Sequence, residues 1–372
     1  MKYIGFYDTK TDRRSMSIAA TNKMDYICEA LNAIGEPVEI ISCGMIADKA
    51  MPAVEEKISD KTVVKYFKTR RTSRNKLKRI YNVFAQNITL FCYLLKHTSK
   101  DEKVLVYHSL GLMRCVHAAK VIKRFKMILE VEEFYNDVQL KSKASVKAEQ
   151  KFIESANAYL FPTKLLNDKF NADNKPMILI HGTYKVEWNR HVLFRDDKIH
   201  VVYAGTFNVI KGGAAVSAAI AEWLPENYHV HIIGFGSDTE IEHIKNIVKE
   251  TNLKSKAIVT YDGLLSGEDY VQFLQKCQIG LSTQNPDADF NATSFPSKIL
   301  SYMANGLRAV TIRIPAIETS DIGGDVYYYD KQESKSIAEA VMKINLSDSY
   351  NSRKRIKELD EKFKVELREL LN

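Results

Sequence analysis

Residues 291–311 read NATSFPSKILSYMANGLRAVT, and the fold turns on how this stretch is read. Pro296 suits a first helical position, because its missing N–H is not needed there and its φ is preset. Asn305 and Gly306 make a C-terminal stop, and Ile299, Leu300 and Met303 fall on one helical face. The spacing predicts a helix over 296–305 that leads at once into a buried strand, RAVTI. Lys298 sits in the first turn, at the positive end of the helix dipole, where a bound anion or a neighbouring acid has to compensate it. Backbone donors at Ser294 to Ser297, together with Lys298, have the makings of a diphosphate site.

Upstream of this helix, strands and helices alternate. HVVYAG (200–205), HVHIIG (229–234), AIVTYDG (257–263) and IGLST (279–283) read as strands, with helices after Gly212, over 239–251 and over 267–277. The first half keeps the same rhythm. KYIGFY, a helix over 19–35 and VEIISCG open it, followed by VLVYHS (104–109), a helix over 111–125, MILEVEE (127–133), AYLFPT (158–163) and MILIHG (177–182). The polar segment 183–198 interrupts the pattern and reads as a linker. The fold class is therefore α/β, in two doubly wound halves, as 372 residues also suggest. A charged tail in good helix formers, 348–372, reads as a closing surface helix.

Composition narrows the functional classes. At 45% hydrophobic and 27% charged, with 16 Gly and 8 Pro, the chain is an ordinary globular one. Five scattered cysteines without a C-x-x-C argue against a disulfide framework or a zinc ribbon and for a reducing cytoplasm. Asp8 breaks the N-terminal apolar run, so no secretory signal is expected. The longest charge-free stretch, Ile80 to Leu95, is 16 residues, short of the ~20 a spanning helix needs.

Ligands of open parallel sheets bind beyond the carboxyl ends of the strands. One such loop follows HVVYAG and carries Gly205, Lys211, Gly212 and Gly213, where glycine admits an anion to the backbone and Lys211 supplies countercharge. Gly234 and Gly236 mark the next, but Thr239 stands where a dinucleotide fingerprint needs its third glycine, which excludes NAD. Asp287-Ala288-Asp289 is a D-x-D, yet tandem α/β halves argue against a metal role for it. No metal or cofactor is expected.

Gly205, Lys211-Gly212, Gly234, Gly236, Gly263 and FPSKILSYMANG, in this order and spacing, resemble the C-terminal half of retaining GT-B glycosyltransferases of the family 4 type, enzymes of bacterial capsule and O-antigen synthesis. The resemblance implies two Rossmann-like domains facing an interdomain cleft. Residues 1–185 would bind the acceptor and 186–345 a nucleotide-sugar, with 346–372 crossing back towards the first domain. It further implies that Lys211 meets the donor phosphates, that Asp262 and Gly263 flank the base, and that Ser294, Phe295, Pro296, Ser297 and Lys298 surround the diphosphate. The implied co-substrate is a nucleoside-diphosphate-sugar, UDP-sugar being favoured, and the acceptor a glycan or lipid-linked intermediate.

The chain departs from the family pattern in two respects. Thr206 stands where relatives carry arginine, and Thr293 and Ser301 where they carry two glutamates; Ser301 can still bond a ribose hydroxyl, and Asp287 or Asp289 can restore charge. These departures keep a second reading open, a catalytically degenerate GT-B scaffold or partner subunit that binds without transferring. In the first half, Glu130, Glu132, Glu133 and His108 lie at strand ends where an acceptor hydroxyl would be held, and a carboxylate or imidazole can move its proton. Glu132 resembles a position where many relatives carry histidine, so Glu132, His108 and Lys211 are the catalytic candidates.

Net charge is +8, and Lys61 to Arg79 holds nine Lys or Arg with no Asp or Glu. Such a block contacts phosphate of nucleic acid, anionic lipid or substrate, or is a solvated loop. No nucleic-acid module surrounds it, so nucleic acid is not expected. Beside it, Ile80, Val83, Phe84, Ile88, Phe91 and Leu95 recur at helical spacing. The pair predicts an amphipathic helix that belongs either to the first domain's core or to a peripheral contact with the inner face of a membrane.

Overall fold

In the computed structural model, residues 1–10, 14, 17–43, 51–69, 74–135, 142–208, 213–288, 291 and 293–372 are described. They divide into two units, Met1–Thr183 with Glu361–Asn372, and Tyr184–Asp360.

The first unit has β1 (Lys2–Gly5), β2 (Val38–Ser42), β3 (Val54–Lys57), β4 (Thr62–Tyr66), β5 (Lys103–Tyr107), β6 (Lys126–Glu130), β7 (Ala158–Phe161) and β8 (Met177–Leu179) in the order β3-β4-β2-β1-β5-β6-β7-β8. All pair in parallel except β3, which runs antiparallel to β4 at the edge. Its helices are α1 (Ile18–Ala33), α2 (Lys76–His97), α3 (Met113–Lys123), α4 (Lys143–Glu154) and α5 (Lys164–Phe170). Side chains of Ser17, Asn75, Ser142 and Thr163 accept first-turn amides of α1, α2, α4 and α5, satisfying donors that the helix itself leaves open. Val104, Leu105 and Val106 are all buried, because helices cover both faces; central parallel strands therefore read as unbroken apolar runs.

The second unit has β9 (Ile199–Thr206), β10 (Tyr228–Phe235), β11 (Ile258–Gly263), β12 (Ile279–Ser282), β13 (Arg308–Ile312) and β14 (Tyr327–Tyr329), all parallel, in the order β11-β10-β9-β12-β13-β14. Counted within the unit, that is the doubly wound order 3-2-1-4-5-6, in which the order of strands reverses between β9 and β12 while all stay parallel. The helices are α6 (Ala214–Ala219), α7 (Asp238–Asn252), α8 (Gly267–Lys276), α9 (Lys298–Ala304), α10 (Pro315–Glu318) and α11 (Ser334–Met342), and α12 (Ser352–Leu371) starts in this unit and ends in the first.

Three sequence readings change. The informative helix begins at Lys298, two residues after Pro296, because the Pro296 carbonyl is spent on a tight turn to the Ile299 amide (3.1 Å). The basic block is not simply a loop: β4 lies inside it and α2 starts at its end. The apolar face of α2 is only partly core. Leu90 and Leu94 are buried, while Leu77, Ile80, Phe84 and Ile88 are 77%, 56%, 63% and 45% exposed.

Gly234 pairs with Gly205 across β10 and β9 at φ +145°, and a Cβ there would overlap the Gly205 carbonyl oxygen. Neither chain can retreat within the parallel ladder. Gly234→Ala is expected to destabilise the protein by at least about 2 kcal/mol, read as a lower urea midpoint at unchanged slope. A midpoint equal to that of the parent would show that the strand ends yield.

Candidate functional site

At the reversal between β9 and β12 the two strands separate, and α9 fills the gap. Tyr302 lies under the sheet with its hydroxyl accepting from the Ala204 amide (3.0 Å) and donating to the Leu281 carbonyl (3.0 Å), so one phenol replaces the ladder bonds that the diverging strands lose. Gly280 is required beneath it, because a Cβ would enter the Tyr302 ring. This fixes the first residue of α9, Lys298, beside the end of β9.

The Lys298 amine lies 4.4 Å from the centroid of the Tyr203 ring and against Gly205, where a Cβ would stand 2.5 Å from Nζ. Among the described residues no carboxylate pairs with it. Burial pushes its pKa down to about 8. An amine at a strand-order switch, held by a ring face and lacking a counterion, is a site for an anion. The amides of Ser294 and Ser297 donate to nothing among the described residues, whereas Pro296 has no N–H to offer and Phe295 is buried.

The remaining predicted donor residues fall around this point or away from it. Lys211 and Gly212 lie outside the described residues, as does Asp289; Gly213, next in the chain, packs against Thr283 at the end of β12. Thr206 bonds its own loop, its hydroxyl accepting from the Asn208 amide (3.2 Å). Gly236 makes room for Glu240, which closes a capping box with Ser237 at the start of α7. Ser301 meets the Tyr270 hydroxyl at 3.3 Å, and Thr293 is fully buried. Gly263 turns at φ +83° into open space, but the Asp262 carboxylate beside it points back to His231 Nδ1 (3.0 Å) and Thr260 Oγ1 (2.8 Å). Burial works to raise its pKa, and those two bonds outweigh burial and hold it below the usual carboxylate range. Asp287 accepts no partner role beyond its loop, where its amide donates to the Asn285 side chain.

The first unit repeats the reversal between β1 and β5, and a cavity of about 410 Å³ opens at those strand ends, bordered by Phe6, Tyr107, Ser109, Leu90 and Tyr135. Glu132, just past β6, pairs with Lys23 of α1, whose amine also donates to the Ile180 carbonyl (3.1 Å). Glu130, the last residue of β6, is wholly buried and accepts from the Tyr3 hydroxyl. His108 is 2% exposed, enclosed by the rings of Tyr135 and Phe152, with Glu149 Oε1 3.4 Å from Nε2. Burial pushes its pKa down to about 4, so it is a neutral imidazole inside the unit and not an open strand-end base. Lys23, Tyr3 and Glu149 escaped the sequence reading, since each reaches the site from an element far away in the chain.

Burial, reinforced by the Glu132 charge, pushes the Glu130 pKa from 4.5 up to about 8. The folded protein therefore keeps a proton that the unfolded chain has lost, and stability falls as pH rises between about 4.5 and 8. Glu130→Gln is expected to flatten that decline and to raise stability at pH 8, measured by urea unfolding across the range. An unchanged slope would mean that Glu130 is ionised when folded.

With the geometry in place, comparison adds the following. The family model described as Glycosyl transferases group 1 matches residues 198–345. No curated protein sequence matches the chain. Among solved structures, an E. coli protein described as trehalose-6-phosphate bound with UDP-2-fluoro glucose superposes with a TM-score of 0.69 at 10% identity, over 97% of this chain and 96% of its own. The Burkholderia multivorans α,α-trehalose 6-phosphate synthase gives 0.66 at 10% identity, over 100% and 96%. A UDP-forming synthase of Burkholderia xenovorans in complex with glucose-6-phosphate gives 0.63 at 10%, over 99% and 96%. At such identities the likeness is one of fold, the GT-B fold of two parallel-sheet α/β domains.

Proposed function

We propose that this chain, a glycosyltransferase by its group 1 domain and its GT-B fold, moves a sugar from a nucleoside-diphosphate donor, UDP-sugar in the first instance, to a glycan or lipid-linked acceptor with retention of configuration. The observation that carries the reading is the Lys298 amine, without a carboxylate partner among the described residues, at the β9–β12 reversal. It stands beside Gly205, next to the position where the resemblance expects an arginine and finds Thr206. In this reading the charge has moved from the strand-end loop to the helix start. The degenerate-scaffold alternative thereby loses part of its motive.

Lys298, Lys211 and the Ser294 and Ser297 amides hold the diphosphate, and they matter most as it departs, when its negative charge is greatest. That role needs no metal at the diphosphate. In the first unit Glu132, oriented by Lys23, receives the acceptor hydroxyl's proton, while His108 supports the strand ends from within. The structural neighbours include one solved with glucose-6-phosphate. Here the cavity border is mostly apolar and continues into a groove of about 840 Å³ along Ile80, Phe84, Ile88, Phe91 and Met113, which suits an acceptor with a hydrocarbon part and surface polysaccharide synthesis. Exposed apolar residues of α2 next to Lys76, Lys78 and Arg79 fit docking on an anionic membrane.

Calorimetry with UDP tests the donor half. Lys298→Met is expected to weaken binding at least tenfold, about 1.4 kcal/mol. The parent's affinity should fall as pH passes about 8, because the free amine then loses its charge. Unchanged affinity in a folded variant would move the phosphates elsewhere.

Vesicle co-sedimentation tests the acceptor side. Binding to anionic vesicles should exceed binding to neutral ones, weaken with salt, and drop in Phe84→Glu. Equal partitioning would point to a soluble acceptor.

A further inference from the structure

A second constellation lies on one face of the second sheet. His200 of β9 is in register with His229 of β10, and His231 is in register with Thr260 of β11, so their side chains share that face. His200 Nε2 is 2.7 Å from Asp196 Oδ1, and His231 Nδ1 is 3.0 Å from Asp262 Oδ2. A carboxylate only accepts, so each of these two nitrogens carries a hydrogen. The opposite nitrogens, His200 Nδ1 and His231 Nε2, face each other at 2.9 Å. In two neutral rings both would be bare, and two lone pairs would point at one another. The space between them calls for an electrophile.

His229 adds a third nitrogen. Thr260 donates its hydroxyl to Asp262 (2.8 Å), so its oxygen is left to accept from His229 Nε2 at 3.0 Å. One ring nitrogen from each of the three histidines lies within 4.8 Å of the other two. The rings of Phe194 and Phe273 cover the group: Phe194 stacks at 4.0 Å on His200 and 4.9 Å on His231, and Phe273 meets His231 edge-on at 5.2 Å. His200 and His231 are each 2% exposed, and His229 is half-buried and so gives access.

We infer that His200, His229 and His231 bind a divalent ion of the zinc class, with Asp196, Asp262 and Thr260 holding the outer ring nitrogens. Imidazole suits such ions, and a carboxylate behind each ligating imidazole fixes its tautomer and raises its basicity. Metal–nitrogen bonds of about 2.0–2.1 Å require the facing pair to open by a few tenths of an ångström. The competing electrophile is a proton shared between His200 Nδ1 and His231 Nε2, which would leave His229 without a part in the group. The ion ties β9, β10 and β11 together and holds the Asp262 turn. It takes no part in the diphosphate contacts proposed above, and the inference does not depend on them.

The test uses the full chain, free of any polyhistidine tag, stripped with EDTA and dialysed. Calorimetric titration with zinc sulfate should give one equivalent, with a zinc-dependent rise in the thermal midpoint, and cobalt(II) should produce the intense visible absorption of a four-coordinate site of three imidazole nitrogens and one solvent ligand. His229→Gln should weaken zinc at least tenfold, and His243→Gln, on exposed α7, should leave it unchanged. The parent's titration and cobalt spectrum decide the matter even if a variant misfolds. No stoichiometric zinc, or equal affinity in the parent and a folded His229→Gln, overturns the site and leaves a shared proton between the rings.

Discussion

A half-buried amine that no described carboxylate pairs is an expense to a fold, and the second unit is arranged so that Lys298 cannot avoid being one. Tyr302 anchors α9 under the parting strands, Gly205 yields the space of a side chain, and the Tyr203 ring supplies the only favourable surface described around the charge. Each of these is also a requirement of the strand reversal. The crevice and its positive charge thus have one origin, and a mutation that repairs the electrostatics would disturb the packing.

The first unit shows the converse arrangement. Its reversal between β1 and β5 opens on aromatic and aliphatic side chains, while the charged groups nearby are paired or kept neutral: Lys23 with Glu132, Glu130 with the Tyr3 hydroxyl, His108 inside a ring cage. A site of that kind holds a substrate by shape and moves at most a proton. One unit presents a positive charge at its strand reversal and the other a largely apolar border.

Much of this was legible in the chain because its signals are local. The buried parallel strands announce themselves as apolar runs, and Ile299, Leu300, Met303 and Gly306 outline α9 to within two residues. Gly205, Gly234 and Lys298 stand out in the sequence for the same reason, and the structure places them together at the end of β9 and the start of α9. What escaped depends on register or on covering. Nothing near residue 206 says that the Lys298 amine comes to lie against Gly205. The histidines of HVVYAG and HVHIIG read as ordinary strand members until pairing sets three rings and two carboxylates on one face. Helical spacing identifies the apolar stripe of α2 but not whether anything packs on it, and the edge strand VEEK carries no alternation to reveal it.

Residues 361–372 belong with residues 1–183, and Phe363 stacks at 5.6 Å on Tyr26 of α1 while Lys103 of β5 donates to the Leu370 carbonyl. The second unit, residues 184–360, interrupts the first in the chain. During synthesis, then, the unit translated first is not the unit finished first. Its sheet is made by residue 179, but its core lacks Phe363 and Leu367 until the second has left the ribosome, so the apolar surface those two cover stays open while residues 184–360 are translated.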